Sequence, residues 1–169
     1  YIFFLILFAV VILVSGSSPM FLIIPLLLFL AIITFGSFNI SSRMFVEAIC
    51  SNPSFPQGLL LTFDDGPHPE NTLKILDVLD ENKVSAVFFL IGKNVVENPQ
   101  IVEEIAKRGH TVGIHTYSHS VFFGFYPVKK MLDEIKLTRE LISQITGKEP
   151  LFFRPPFGVT NPGIAKAIK

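Results

Sequence analysis

The sequence predicts an α/β fold built on a parallel sheet, and three observations carry that prediction. From residue 58 onward, short apolar runs bounded by turn residues alternate with stretches whose apolar residues recur at helical spacing. The order is strand, helix, strand, helix, which demands crossover connections and hence parallel pairing, doubly wound or closed as a barrel. The polar residues able to do chemistry cluster where the predicted strands end, and parallel sheets place their sites there.

Each element has its own warrant. "GLLLTF" (58–63) is a short apolar run between turn residues, so a buried strand. Leu73, Leu76 and Leu79 with Ile75 predict a helix over 72–82, capped by Asn71 or Thr72. "VSAVFFLIG" (84–92) predicts a second buried strand. Asn98 caps the next helix, with Pro99 in its first position, Ile101, Val102 and Ile105 on one face, and Gly109 as its stop. "HTVGIH" (110–115) is a short third strand. Pro127 opens a third helix carrying Val128, Met131, Leu132, Ile135, Ile142 and Ile145, and Gly147 closes it. "PLFFR" (150–154) is a fourth strand.

The first quarter reads differently. No charged residue precedes Arg43, and "YIFFLILFAVVILV" (1–14) and "MFLIIPLLLFLAIITF" (20–35) are apolar blocks split by "SGSSP". A spanning helix needs roughly 20 apolar residues. Residues 1–40 are therefore expected to form a membrane hairpin of two transmembrane helices, about 1–14 and 20–38, followed by a linker over 41–57. A signal peptide is the rival reading of the first block. Two buried core helices are disfavoured by 42 residues without a charge. The expected location is membrane-anchored and multi-pass, with the folded domain outside the cytoplasm. Arg43 and Glu47 nearly cancel, so orientation is not readable. Tyr1 in place of Met, and an end at Lys169 without a stop signal, lead us to expect a chain cut at both ends.

Lys and Arg together number 14, as do Asp and Glu, so a nucleic-acid partner has no electrostatic support. The single cysteine, Cys50, excludes an internal disulfide and a multi-cysteine zinc knuckle.

Three segments deliver polar groups to one rim of the predicted sheet. Asp64 and Asp65 leave strand one, His115 leaves strand three with His119 four residues on, and Arg154 leaves strand four. His110 enters strand three at the opposite end and is excluded. The i, i+4 spacing in "HTYSH" would aim two imidazoles at one centre from a helical turn or a helix-like loop. It lacks the glutamate of the zincin motif, so a base must come from elsewhere. A catalytic zinc wants three protein ligands and an open position. Two histidines and one aspartate supply them, and adjacent residues of an extended chain diverge, leaving the second carboxylate to act as base. Turn chemistry at Asp-Gly-Pro is the plain alternative for the pair.

"TFDDGP" (62–67), "HTYSH" (115–119) and "RPPFG" (154–158) resemble the first three motifs of the polysaccharide deacetylases, the NodB-homology carbohydrate esterases. The resemblance runs from about Gly58 to Lys169. It implies a partial distorted (β/α) barrel, preceded by the two transmembrane helices, and metal-dependent removal of N-acetyl or O-acetyl groups from an envelope or chitin-like polysaccharide. It assigns Asp64 as base, Asp65, His115 and His119 as ligands of a divalent metal (zinc, with cobalt or another ion as alternatives), and Arg154 as the partner that orients Asp64. The segment around Phe157 would floor the site and offer a backbone N–H to the oxyanion, where the family usually has Tyr. A barrel of this kind takes about 200 residues or more, against 112 from Gly58 to Lys169. The family's late Leu-x-His, its general acid, is therefore expected beyond Lys169. The alternatives are another metal-dependent hydrolase of non-peptide C–N bonds, or a non-catalytic carbohydrate-binding or membrane-scaffold relative.

Overall fold

Five consecutive buried residues, Ala86–Leu90, form the central strand of a three-stranded parallel sheet. The computed structural model describes Ile6, Val10, residues 20–51 and residues 57–169. Strand β1 is Leu61–Gly66, β2 is Ala86–Leu90 and β3 is Thr111–Ile114, in the order β1-β2-β3. β2 has neighbours on both edges and both faces covered, which suits its unbroken apolar composition. Phe63 pairs with Phe88 in register, and Phe88 with Val112.

The crossovers are helical. After α1 (Met20–Phe38), α2 (Asn71–Glu81) joins β1 to β2, and α3 (Gly92–Glu97) with α4 (Pro99–Lys107) joins β2 to β3. α5 (Val128–Thr146) and α6 (Pro162–Ala167) follow. Their apolar stripes meet the sheet in one core, with Leu76, Leu90, Val102, Ile105, Ile114 and Ile142 almost wholly buried. Each such side chain contributes roughly 1.5–3 kcal/mol on leaving water. Arg108 ties α2 to α4: its Nη1 donates to Asp77 at 2.7 Å and Asp80 at 2.9 Å, and its Nε to Glu104 at 2.8 Å. Gly109 and Gly147 take φ of 81° and 68° just past α4 and α5, the left-handed stops their positions predict.

Several expectations are corrected. Strand one begins at Leu61, because Leu59 and Leu60 precede the pairing and stand exposed, and it continues to Gly66 through a register shift after Phe63. The α2 cap is neither Asn71 nor Thr72: the His68 ring nitrogen Nδ1 accepts from the Glu70 and Asn71 amides, each at 3.2 Å. Strand four shrinks to one parallel bridge, Ile114 to Phe153, because Pro155 and Pro156 end the pairing. α3 and α6 were not foreseen; six residues are too few to show a helical period.

The expected membrane hairpin is described only in part. Residues 1–14 lie outside the described residues, Ile6 and Val10 excepted, and among the described residues no helix is long and apolar enough to cross a membrane. The second block forms a helix over the expected residues, α1.

Candidate metal and hydrolytic site

The two aspartates sit where β1 slips register against β2. A bulge of this kind re-aims side chains at the end of a strand. Asp65 takes φ 67°, so the carboxylates part company by a backbone twist as well as by strand alternation. Asn94 of α3 holds the twist, its Nδ2 donating to the Asp65 carbonyl at 2.9 Å.

His115 extends β3 by one residue, its N–H donating to the Leu90 carbonyl at 2.9 Å, and its ring is buried. Nδ1 lies 2.7 Å from the Arg154 carbonyl oxygen. A carbonyl can only accept, so Nδ1 carries the proton and Nε2 keeps its lone pair. Burial pushes this imidazole below its ordinary range, outweighing the Arg154 carbonyl and the neighbouring aspartates, which act the other way. A neutral ring with a free Nε2 is the form that ligates.

The loop to His119 is not a helical turn. Thr116 is fully buried at φ 61°, and His119 takes φ 49°. The segment is held on all sides: Thr116 and Tyr117 carbonyls accept from Gly92 and Lys93 N–H at 2.9 and 3.0 Å, and Thr116 Oγ1 accepts from His119 N–H at 3.1 Å. Glu134 of α5 accepts from the Tyr117 and Ser118 amides at 3.3 and 3.1 Å and from Ser118 Oγ at 2.8 Å.

These constraints bring Asp65 Oδ1 to 3.4 Å from His115 Nε2 and 3.2 Å from His119 Nε2. The ligand atoms of all three lie within 4.8 Å of one another. Two imidazole nitrogens and a carboxylate oxygen, one tautomer already fixed, fit a divalent ion of the zinc type. Beside them Arg154 Nη1 donates to Asp64 Oδ1 at 2.7 Å and to Thr62 Oγ1 at 3.0 Å, its guanidinium carbon 4.1 Å from the Phe89 ring centroid. Phe157, exposed and at φ 59°, sets its ring 5.1 Å from that of His119.

The structure thus gathers Asp64, Asp65, His115, His119, Arg154 and Phe157 at one rim. His110 stays at the other end, its Nδ1 accepting from Ala86 N–H at 3.3 Å. Thr62, Asn94, Thr116 and Glu134 were missed. Asn94 was within reach of the rim rule, since it follows strand two; Glu134 gives no local signal from the middle of a helix.

Residues 52–169 match the family model of polysaccharide deacetylases. A peptidoglycan-N-acetylglucosamine deacetylase of Bacillus cereus is 43% identical over 108 residues, 64% of this chain and 39% of that protein. The solved structure of the peptidoglycan deacetylase PdaC from Bacillus subtilis is similar at TM-score 0.62 and 38% identity, covering 65% of this chain and 54% of that one. A pseudoenzyme of the carbohydrate esterase family 4 from Bacillus anthracis is similar at TM-score 0.60 and 28% identity, covering 64% of this chain and 38% of its own. The chain therefore spans about two fifths to half of these proteins.

Proposed function

The chain belongs to the polysaccharide deacetylase family, and from that premise we propose that it takes part in hydrolysing acetyl groups from an N-acetylated envelope glycan of the peptidoglycan or chitin type. The observation that carries the proposal is the joining of two constellations at one rim: Asp65, His115 and His119 as a ligand set, and Asp64 held by Arg154. Fold alone is insufficient support, since a pseudoenzyme shares it. The intact ligand set and the Asp64–Arg154 pair favour a working site over a non-catalytic relative. The names of the relatives favour a glycan over a small amide.

Asp65, His115 and His119 would hold a divalent ion, zinc or a close substitute. Such an ion supplies Lewis-acid polarisation of a water and of the acetyl carbonyl. The chain's own residues do the rest. Arg154 occupies one oxygen of Asp64, fixing the carboxylate so that its other oxygen can take a proton from the attacking water. The water oxygen bonds to the acetyl carbon, the C–N bond breaks, the sugar amine gains a proton and acetate departs. Phe157 backs the His119 ring, and its segment is proposed as the source of an oxyanion N–H.

Location belongs to the same proposal: the domain works outside the cytoplasm, attached through the apolar N-terminal segment. Support comes from the uncharged composition up to Ser42 and the exposed apolar surface of α1.

The test separates the roles. Asp64→Asn should retain metal while acetate release falls by about 10²–10⁴-fold. Asp65→Asn and His119→Ala should lose metal itself, by titration and elemental analysis. Equal metal content in all three, or metal loss in Asp64→Asn, would overturn the assignment.

A further inference from the structure

The loop between His119 and α5 carries an apolar surface that the hydrolytic chemistry leaves unused. Phe123 anchors it in the core, while Val121, Phe122 and Phe125 are 66%, 65% and 88% exposed. Three large apolar side chains bared within five residues make a patch, unlike the scattered exposure any surface tolerates. The loop is well held. Phe123 N–H donates to Ser120 O and Phe125 N–H to Phe122 O, each at 2.9 Å, and Asn161 Nδ2 donates to Gly124 O at 2.7 Å.

The same anchor leads to a second apolar surface. Thr160, next to Asn161, donates its N–H to Ser37 O at 3.0 Å, and its Oγ1 to Gly36 O at 3.4 Å. Two consecutive residues thus tie the loop to the C-terminal end of α1. Ile24, Leu28 and Phe35 stand exposed on one side of that helix, and Leu26 and Leu30 on the opposite side. An uncharged helix that is apolar all round belongs in a core or in lipid, and among the described residues no core surrounds this one. On the other flank of the loop, Lys129 and Lys130 stand exposed at the start of α5, Lys130 Nζ lying 3.5 Å from the Tyr126 ring centroid. Asp133 follows a turn later and Glu134 is turned to Ser118, so the flank next to the uncharged tip is basic.

We propose that the tip of residues 121–125 inserts into the interface of an anionic bilayer, beside α1, and holds the His115–His119 rim close to that surface. Aromatic side chains settle at headgroup depth, aliphatic ones enter the acyl boundary, and lysines pair with lipid phosphates. A glycan strand would want polar groups around the rings, and the exposed side chains of Val121, Phe122 and Phe125 offer none. The proposal does not depend on hydrolysis.

The chain contains no tryptophan, so Phe125→Trp, with Phe122→Trp as a second variant, places one reporter at the tip. The full chain is reconstituted in vesicles of phosphatidylglycerol and phosphatidylethanolamine, with and without lipids brominated high on the acyl chain. Emission should shift to the blue and be quenched by the brominated lipid, and the double change Lys129→Glu, Lys130→Glu should weaken both. Val78→Trp on exposed α2 should stay aqueous and unquenched. Emission at the tip matching that of Val78→Trp overturns the proposal. So does a shift caused by chitooligosaccharide instead of lipid, which would reassign the tip to glycan. Metal content, measured alongside, should be unchanged in every variant, so failure here leaves the metal-site reading standing.

Discussion

Thr116 is a β-branched residue held in left-handed backbone, and it shares that conformation with Asp65, His119 and Phe157, all at the same rim. Such residues cost on the order of 1–3 kcal/mol each and persist only where their surroundings over-determine them. Gly92 is one of the determinants. A Cβ there would meet Tyr117 Cδ2 and Thr138 Oγ1 at 2.5 Å and Tyr117 Cα at 3.0 Å. Backbone cannot yield as a flexible side chain can, so Gly92→Ala should destabilise the fold by about 1–3 kcal/mol and weaken metal binding as the loop shifts. Denaturant unfolding and metal titration check both; a variant unchanged in each would show the loop to be pliable. His110 makes a separate prediction. Its Nδ1 accepts from Ala86, so the proton sits on Nε2, which is buried without a partner among the described residues. Burial lowers the folded pKa below the ordinary histidine value of 6.5, so the unfolded chain takes up the proton first on acidification. The stability owed to neutral His110 is present above that value and is lost as pH falls below it. His110→Gln, which keeps an acceptor for Ala86, should flatten that acid limb in unfolding measured from pH 7.5 to 5. Residue types at the rim were legible in the sequence. What separates Asp64 from Asp65 was not, because it depends on a register slip and a reversed φ that the neighbouring residue names do not announce.

Helix α5 runs past the site and contributes Glu134, whose carboxylate ties three donors of the 115–119 loop to a rigid element. Groups that orient metal ligands are worth about 10–100-fold in affinity. Glu134→Ala should therefore lower metal affinity in that range with little change in overall helicity, and Glu134→Gln, still an acceptor, should recover part of the loss. Isothermal titration with circular dichroism decides it; full affinity in Glu134→Ala would sink the idea. At this scale the sequence was most readable where a signal repeats. α2, α4, α5 and β2 carry several turns or an unbroken apolar run, and α4 and α5 stop at glycines that take the predicted left-handed backbone. It was least readable where one contact decides the element. The His68 ring caps α2, and strand four is reduced to Phe153 by the two prolines after Arg154.

For the molecule as a whole, the sheet's outer side at β3 is the feature with a physical consequence. The segment after α5 reaches β3 through two backbone hydrogen bonds, Ile114 N–H to Phe152 O at 2.8 Å and Arg154 N–H to Ile114 O at 2.9 Å, which together make the Ile114–Phe153 bridge. Its far side pairs with nothing among the described residues, and Leu151 and Phe152 there are exposed. An open edge with bare apolar side chains is a template for pairing with another chain, and natural proteins blunt such edges with lysine. The chain as given should accordingly self-associate, and Leu151→Lys should suppress this without touching the site, because Arg154 is positioned by its own backbone bond and by Asp64. Light scattering against concentration, with metal content alongside, is the measurement. Association that falls while metal binding holds supports an edge-driven mechanism. Association unchanged in Leu151→Lys, but abolished when the apolar residues of α1 are replaced by polar ones, would move the cause from the sheet edge to the N-terminal helix.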